Sequence, residues 1–466
     1  MDSKGSGALD SLVSHTMVDF NQMKTFSKDP LILRSGAGVR VTDTHGRQFI
    51  DGISGVFAMS LGHSAEAVIN AITQQLRTLA FSSPIMATNE RAVELVGELI
   101  RLTGGRMQYV KLLGSGSEAT EAAMKMARQY HRQSGAPGRY KIISFYQSYH
   151  GATLGALSAT GWPKLKSAYE PLAPGFLHVH PPVCGRRSDS HDHAECGLRT
   201  LQQLRQTILA EGQDTVAAII VEPVMLTAGV RIPPPGFLLG LRTMCDELGV
   251  LLIFDEIVTG FGRIGSWFAA ERFGVWPDLM CLGKGISAGY APLSAVIMTD
   301  KVGMSFWGEA DQNLQFQAGH THAGNPISAA AGLAAIRFIE HTDVFANVER
   351  SGCRLADRLA ALEEECDHVG EVRGLGLLFG IEFVEGRRAG RPLPDSVPFA
   401  SAVQREARQR GLLMRASPHI GTLAPPLIST TDEIDEIADI LGDSIRAVAA
   451  TFAQTHKVAV EVGFGL

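Results

Sequence analysis

The sequence predicts an α/β protein: a mostly parallel sheet flanked by helices, followed by a smaller α+β portion. Three observations carry this. Between about residues 65 and 330, helical periodicities alternate with short apolar runs, the pattern of βαβ units. Those runs are apolar throughout rather than at every second residue, as in strands covered on both faces. Several of them stop abruptly at a charged residue, at the strand end where open α/β sheets bind ligands.

The bulk properties agree. A chain of 466 residues exceeds one hydrophobic core and predicts two or three subdomains. Hydrophobic content of 45% with 19% charged residues fits a well-packed soluble enzyme. The net charge of -6 comes from interspersed acids and bases, which argues against a nucleic-acid surface and gives no reason to expect a membrane partner. No run approaches the roughly 20 apolar residues that span a bilayer. Residues 1–19 lack the apolar core of a secretory signal, so a cytoplasmic protein is expected. Six cysteines are too few for a disulfide framework, and Cys245 and Cys281 fall in apolar patterns that predict buried thiols. Cys184, His191, His193 and Cys196 cluster in a polar loop, but their spacing fits no CxxC-type zinc site. A solvated loop is the better reading, and no metal is expected.

Residues 1–30 read as a docking arm. Residues 39–43 and 48–51, separated by Thr44-His45-Gly46-Arg47, predict a β-hairpin. Helices are predicted over 65–80, 89–102, 118–132, 198–210 and 235–248, with strands over 109–113, 141–145, 217–221, 250–254, 279–282 and 295–298. An Ala-rich helix over 326–341 leads into Gly-punctuated strands over 369–382, and an amphipathic helix over 431–451 closes the chain. The expected organisation is an arm and small-domain segment (1–60), a large α/β domain (61–329) and a small α+β domain (330–466).

The chemistry gathers at strand ends. The run 217–221 leads to Glu222, 250–254 to Asp255, and 279–282 to Gly283-Lys284-Gly285. A partly desolvated lysine is the usual Schiff-base former. Asp255 follows five apolar residues, so its carboxylate needs a partner, either a protonated heteroaromatic nitrogen or an arginine such as Arg263. Gly114-Ser115-Gly116-Ser117-Glu118 follows a strand and opens a helix, which suits a phosphate, while Ser115 and Glu118 equally fit a plain capping box. Tyr149-His150-Gly151 places an aromatic ring where a flat cofactor could stack. Thr321 precedes a Gly324-Asn325-Pro326 turn, where its hydroxyl serves either a phosphate or the turn itself. Arg415, after the apolar 412–414, is either a carboxylate clamp or a surface arginine.

Taken together, these residues resemble the class III (omega) aminotransferases of pyridoxal-phosphate fold type I, from about residue 30 to 440. The most specific stretch is Phe254-Asp255-Glu256-Ile257-Val258-Thr259-Gly260-Phe261-Gly262-Arg263, followed by Pro277-Asp278 and Leu282-Gly283-Lys284-Gly285. Gly116-Ser117-Glu118, Tyr149-His150-Gly151 and Glu222-Pro223 support it. The resemblance implies pyridoxal 5'-phosphate bound as an aldimine to Lys284, which then shuttles the proton. Asp255 would pair with the pyridine nitrogen and Tyr149 stack on the ring, with His150 and Glu222 also at the cofactor. Ser115, Gly116 and Ser117 would cradle the phosphate, with Thr321 reaching it from a neighbouring subunit, so a homodimer is implied as the minimum active unit, with pairing of dimers into a tetramer left open. Val258 stands where many relatives carry glutamine beside the cofactor's 3-oxygen. Ser54-Gly55-Val56-Phe57 is similar to the Ser-Gly-Leu-Trp of amine and ω-amino-acid:pyruvate transaminases, and Arg415 sits where those enzymes place a mobile arginine. The implied activity moves an amino group from an ω-amino acid or primary amine to a keto acid, with pyruvate favoured. A decarboxylase, an aminomutase or a silent cofactor-binding homologue shares the same framework.

Overall fold

The structure, a computed structural model, describes residues 4–182, 193–386, 391, 393 and 397–462. At its centre lies a seven-stranded sheet in the order Tyr109–Leu113, Ser294–Met298, Leu279–Leu282, Leu251–Asp255, Val216–Val221, Lys141–Phe145, Phe176–Val179. Ser294–Met298 runs antiparallel to both its neighbours, and the five strands beyond it are mutually parallel. Every residue of Val216–Val221, Leu251–Asp255, Leu279–Leu282 and Ser294–Met298 is buried, which is why those segments read as unbroken apolar runs. Phe176–Val179 escapes the sequence reading. It is a four-residue edge strand with only Val179 fully buried, too short and too mixed for periodicity to mark.

Helix Gly116–Gln133 lies on this sheet through one apolar face: Ala119, Ala122, Ala123, Met126 and Ala127 are all buried. Small side chains there let the helix axis approach the strands closely, which matters because its N-terminus forms part of the site. Pro326–His341 starts at Asn325, whose side chain accepts from the Ile327 and Ser328 N–H groups, with Pro326 at the first helical position. It packs on Glu66–Thr78 and Glu90–Leu102.

Two smaller sheets accompany the central one. Val369–Leu375, Leu378–Phe383, Ile420–Leu423 and Arg415–Ser417 form an antiparallel sheet, backed by helices Val344–Glu365 and Phe399–Gln409. Thr431–Val462 packs on both helices and extends past the predicted end at 451. The predicted hairpin forms as Arg40–Asp43 and Gln48–Asp51, beside Leu33–Ala37. Its fourth partner is Leu412–Leu413, which pairs parallel with Gln48–Asp51 and so joins the two ends of the chain. Arg415 follows this short apolar strand, as expected, and opens a strand of its own, Arg415–Ser417. Among the described residues no helix is long and apolar enough to cross a membrane.

Candidate active site

Parallel strands deliver their carboxyl ends to one edge of the sheet, and four of them deliver side chains there. Asp255 closes its strand and is 5% exposed. Its Oδ2 lies 2.8 Å from Nδ1 of His150, and its Oδ1 accepts from the Ile257 N–H at 3.2 Å. The arginine reading for Asp255 fails: Arg263 is buried elsewhere and forms no ion pair among the described residues. His150 is in turn fixed by its backbone, its N–H donating to Thr160 Oγ1 at 3.0 Å and its carbonyl accepting from Thr120 Oγ1 at 2.6 Å. With Nδ1–H directed at the carboxylate, Nε2 is a buried acceptor that meets no partner among the described residues. The sequence placed His150 in a motif but not against Asp255, because strand register and the intervening turn set that contact.

Glu222 follows the next strand. Its Oε1 accepts from the Tyr149 N–H at 2.9 Å and its Oε2 from the Leu226 N–H at 3.1 Å, so it fixes the loop that carries Tyr149. Burial, reinforced by Asp255, raises its carboxyl to about 7 despite these bonds and the nearby His150. Glu256, next to Asp255, turns away from the site and supports the fold. It accepts from the Ala269 and Ala270 N–H groups at 2.6 and 2.7 Å, capping helix Ala269–Phe273.

Lys284 follows Leu279–Leu282 and Gly283, with φ at 45°, a left-handed backbone that a side chain adopts only when its surroundings impose it. The residue is half-buried. Burial lowers its pKa, with Asp255 and Glu222 pulling the other way and Arg415 adding to the fall. A lysine amine biased towards its neutral form is nucleophilic.

Beside it, helix Gly116–Gln133 presents its first turn. Ser115 caps it, Oγ accepting from the Glu118 N–H at 3.3 Å. Glu118 departs from the expected capping box, since its carboxylate takes the Gly114 N–H at 2.8 Å rather than that of Ser115. Ser117 Oγ accepts from the Ala152 N–H at 3.0 Å, tying the cradle to the Tyr149 loop. Ile257, which the sequence did not single out, lies between the cradle and the lysine turn: a Cβ on Gly116 would come within 3.0 Å of it, and one on Gly283 within 3.2 Å.

Tyr149 is half-buried, and burial raises its pKa, with Arg415, Asp19 and Asp255 all within electrostatic reach. Arg415 is thus brought to the site from the third sheet, and Asp19 from the N-terminal arm. Phe57 is buried in an apolar cluster with Leu226 and Ala424, against which Val258 packs half-exposed. Thr321 is not drawn in. It lies exposed on a turn whose His320 Nδ1 is 3.8 Å from Glu118 Oε1. Cys245 and Cys281 are buried thiols, as expected. Cys184 and His191 lie outside the described residues, among which no cluster of three or more His, Cys, Asp or Glu could hold a metal ion.

The arrangement fits pyridoxal phosphate. Helix N–H groups at Gly116 and Ser117 suit a phosphate dianion, buried Asp255 suits a ring nitrogen kept protonated, and the Lys284 amine suits the carbonyl carbon. Ile257 packs against both Gly116 and Gly283, so the phosphate cradle and the lysine turn are held side by side.

Comparison with known proteins agrees. The class-III aminotransferase family model matches residues 23–445. The chain is 34% identical over 437 residues to an adenosylmethionine-8-amino-7-oxononanoate aminotransferase of Geobacter sulfurreducens, covering 93% of this chain and 96% of that one. It is 35% identical over 441 residues to a taurine–pyruvate aminotransferase of Bilophila wadsworthia, covering 92% and 95%. Among solved structures, an amine transaminase of an uncultivated Pseudomonas species, in its PLP-bound internal aldimine form, superimposes with a TM-score of 0.88 at 33% identity over 94% of this chain and 98% of that one. The chain belongs to the class-III aminotransferases, pyridoxal-phosphate enzymes of fold type I.

Proposed function

We propose that this aminotransferase moves the amino group of a primary amine or ω-amino acid to a keto acid, with pyruvate as acceptor, in two half-reactions at one site. The observation that carries the reading is that the Lys284 turn, the His150–Asp255 pair and the Gly116–Gln133 helix start meet at one edge of the sheet. Pyridoxal phosphate, when bound, supplies the electron sink for breaking a C–H bond next to nitrogen. The chain's own residues do the rest. With the cofactor bound, Lys284 Nζ would carry the proton taken from the donor carbon and Asp255 would hold the ring nitrogen's proton, while Glu222 fixes the Tyr149 loop. Arg415, within reach of Tyr149, is the cation for the acceptor's carboxylate. The donor leaves as a carbonyl compound and pyruvate leaves as alanine, so nitrogen and protons balance over the cycle.

Alanine formation from pyruvate should appear with a panel of amine donors, and Lys284→Ala should lower turnover by about a thousandfold or more. Turnover that survives this substitution, or carbon dioxide release without any keto acid, would falsify the assignment. Arg415→Ala should raise KM for pyruvate about tenfold or more, the loss of one charge-assisted pair.

A second copy is part of the proposal. Thr321 sits on a turn beside Phe81, whose ring meets His322 edge-on at 6.1 Å, and Ile85 and Met86 are 91% and 88% exposed nearby in sequence. Apolar side chains this exposed suit a subunit contact.

A further inference from the structure

Arg263 is 2% exposed, and its guanidinium meets no carboxylate in an ion pair among the described residues. Nη1 donates to the carbonyls of Leu377 at 3.0 Å and Pro425 at 2.5 Å, and Nη2 donates to Ser54 Oγ at 3.1 Å. One side chain thus joins the segment after Asp255, the turn between two strands of the antiparallel sheet, the 424–427 segment and the Ser54 turn. A buried cation whose direct partners are all neutral is costly: burial lowers its pKa to about 10, and the nearby Asp51 carboxylate only partly offsets this. Such a group is retained where position matters more than stability.

The Ser54 turn is what it positions. Ser54, Gly55 and Phe57 all have positive φ, at 49°, 66° and 65°, a conformation that serine and phenylalanine resist. Two buried polar groups hold it. Asp51 accepts the Gly55 N–H at 2.8 and 3.0 Å and the Ile53 N–H at 3.3 Å. On the other side Ser54 Oγ accepts from Arg263 and donates to the Ala424 carbonyl at 2.7 Å. The turn also borders the site. Phe57 packs in the cluster that Val258 covers, and a Cβ on Gly289, in the loop after Lys284, would come within 3.2 Å of Ala58 and Met59. Val56, 56% exposed, projects from the same turn.

We propose that Arg263, acting through the Ser54 hydroxyl, holds the strained Ser54–Phe57 turn and so sets the size of amine admitted to the Lys284 site. It is a positioning residue, and the inference rests on the donor reading above. Ser54→Ala removes the link while leaving Arg263 its two carbonyls. In the holoenzyme, with pyruvate as acceptor, the ratio of kcat/KM for 1-phenylethylamine to that for propan-2-amine should shift about tenfold, the scale of a changed pocket contact. Amide hydrogen exchange over residues 53–58 should accelerate by a similar factor, while residues 216–221 stay protected. Arg263→Lys, which keeps the charge but cannot span three acceptors, should shift the ratio the same way if it folds. An unchanged donor ratio, an equal loss for both amines, or unchanged exchange over 53–58 in Ser54→Ala overturns the inference. Absence of wild-type turnover with every donor would instead sink the donor reading, and the exchange measurement would still decide whether Arg263 holds the turn.

Discussion

At the residue scale, the site is a set of ionisable groups whose burial sets their charge. Glu222 shows the consequence for pH. An exposed glutamate titrates near 4.5 and the folded chain holds this one near 7, so between those values the folded state binds a proton that the unfolded state lacks. Its contribution to stability is therefore complete below about 4.5 and is lost as pH rises through about 7. Glu222→Gln should flatten the decline in unfolding free energy between pH 5 and 8, by up to roughly 3 kcal/mol. Denaturant unfolding at several pH values reads this directly, and identical slopes in both proteins would count against the assignment. Glu256, also raised by burial to about 7, keeps part of the slope in either case. The sequence showed that Glu222 and Asp255 end apolar runs. It could not show that Asp255 meets a histidine and Glu222 two backbone N–H groups, because those contacts join segments distant in sequence.

At the element scale, the cradle depends on a loop folded tightly onto a helix start. Gly151 has φ of 136°, and a Cβ there would lie 2.6 Å from Ser117 Oγ and 2.7 Å from the Ala156 Cβ. Gly151→Ala must push Ser117 out of place. It should destabilise the protein by about 1–3 kcal/mol and weaken pyridoxal phosphate binding. Thermal unfolding with and without the cofactor would show both losses, and unaltered cofactor affinity would mean that Ser117 is no part of the cradle. The apolar strands and the Ala-rich helix face were legible because burial on two faces, or on one, leaves a periodic trace. Phe176–Val179 and the Arg415 strand were not, since short edge strands owe their existence to the neighbours they pair with.

At the scale of the whole molecule, the site collects residues from across the chain. Asp19 comes from the arm, Asp255 and Lys284 from the central sheet, and Arg415 from the antiparallel sheet. Thr321 is exposed rather than gathered in, which fits a role across a subunit boundary. The holoenzyme should therefore sediment with the mass of at least two chains, and Thr321→Ala should weaken cofactor retention without dissociating them. A fully active monomer would exclude the shared site.

The sequence by itself determined the buried strands, the helix faces and the lysine of the candidate site, because each leaves a local pattern or a motif of fixed spacing. Lys284 was recognisable from its turn and from Asp255 upstream. Only the tertiary structure decided that Asp255 pairs with His150 rather than Arg263, and that Arg263 instead reaches the Ser54 turn. The physical reason is that a buried polar group must find a partner, while which partner it finds depends on how distant segments are brought together.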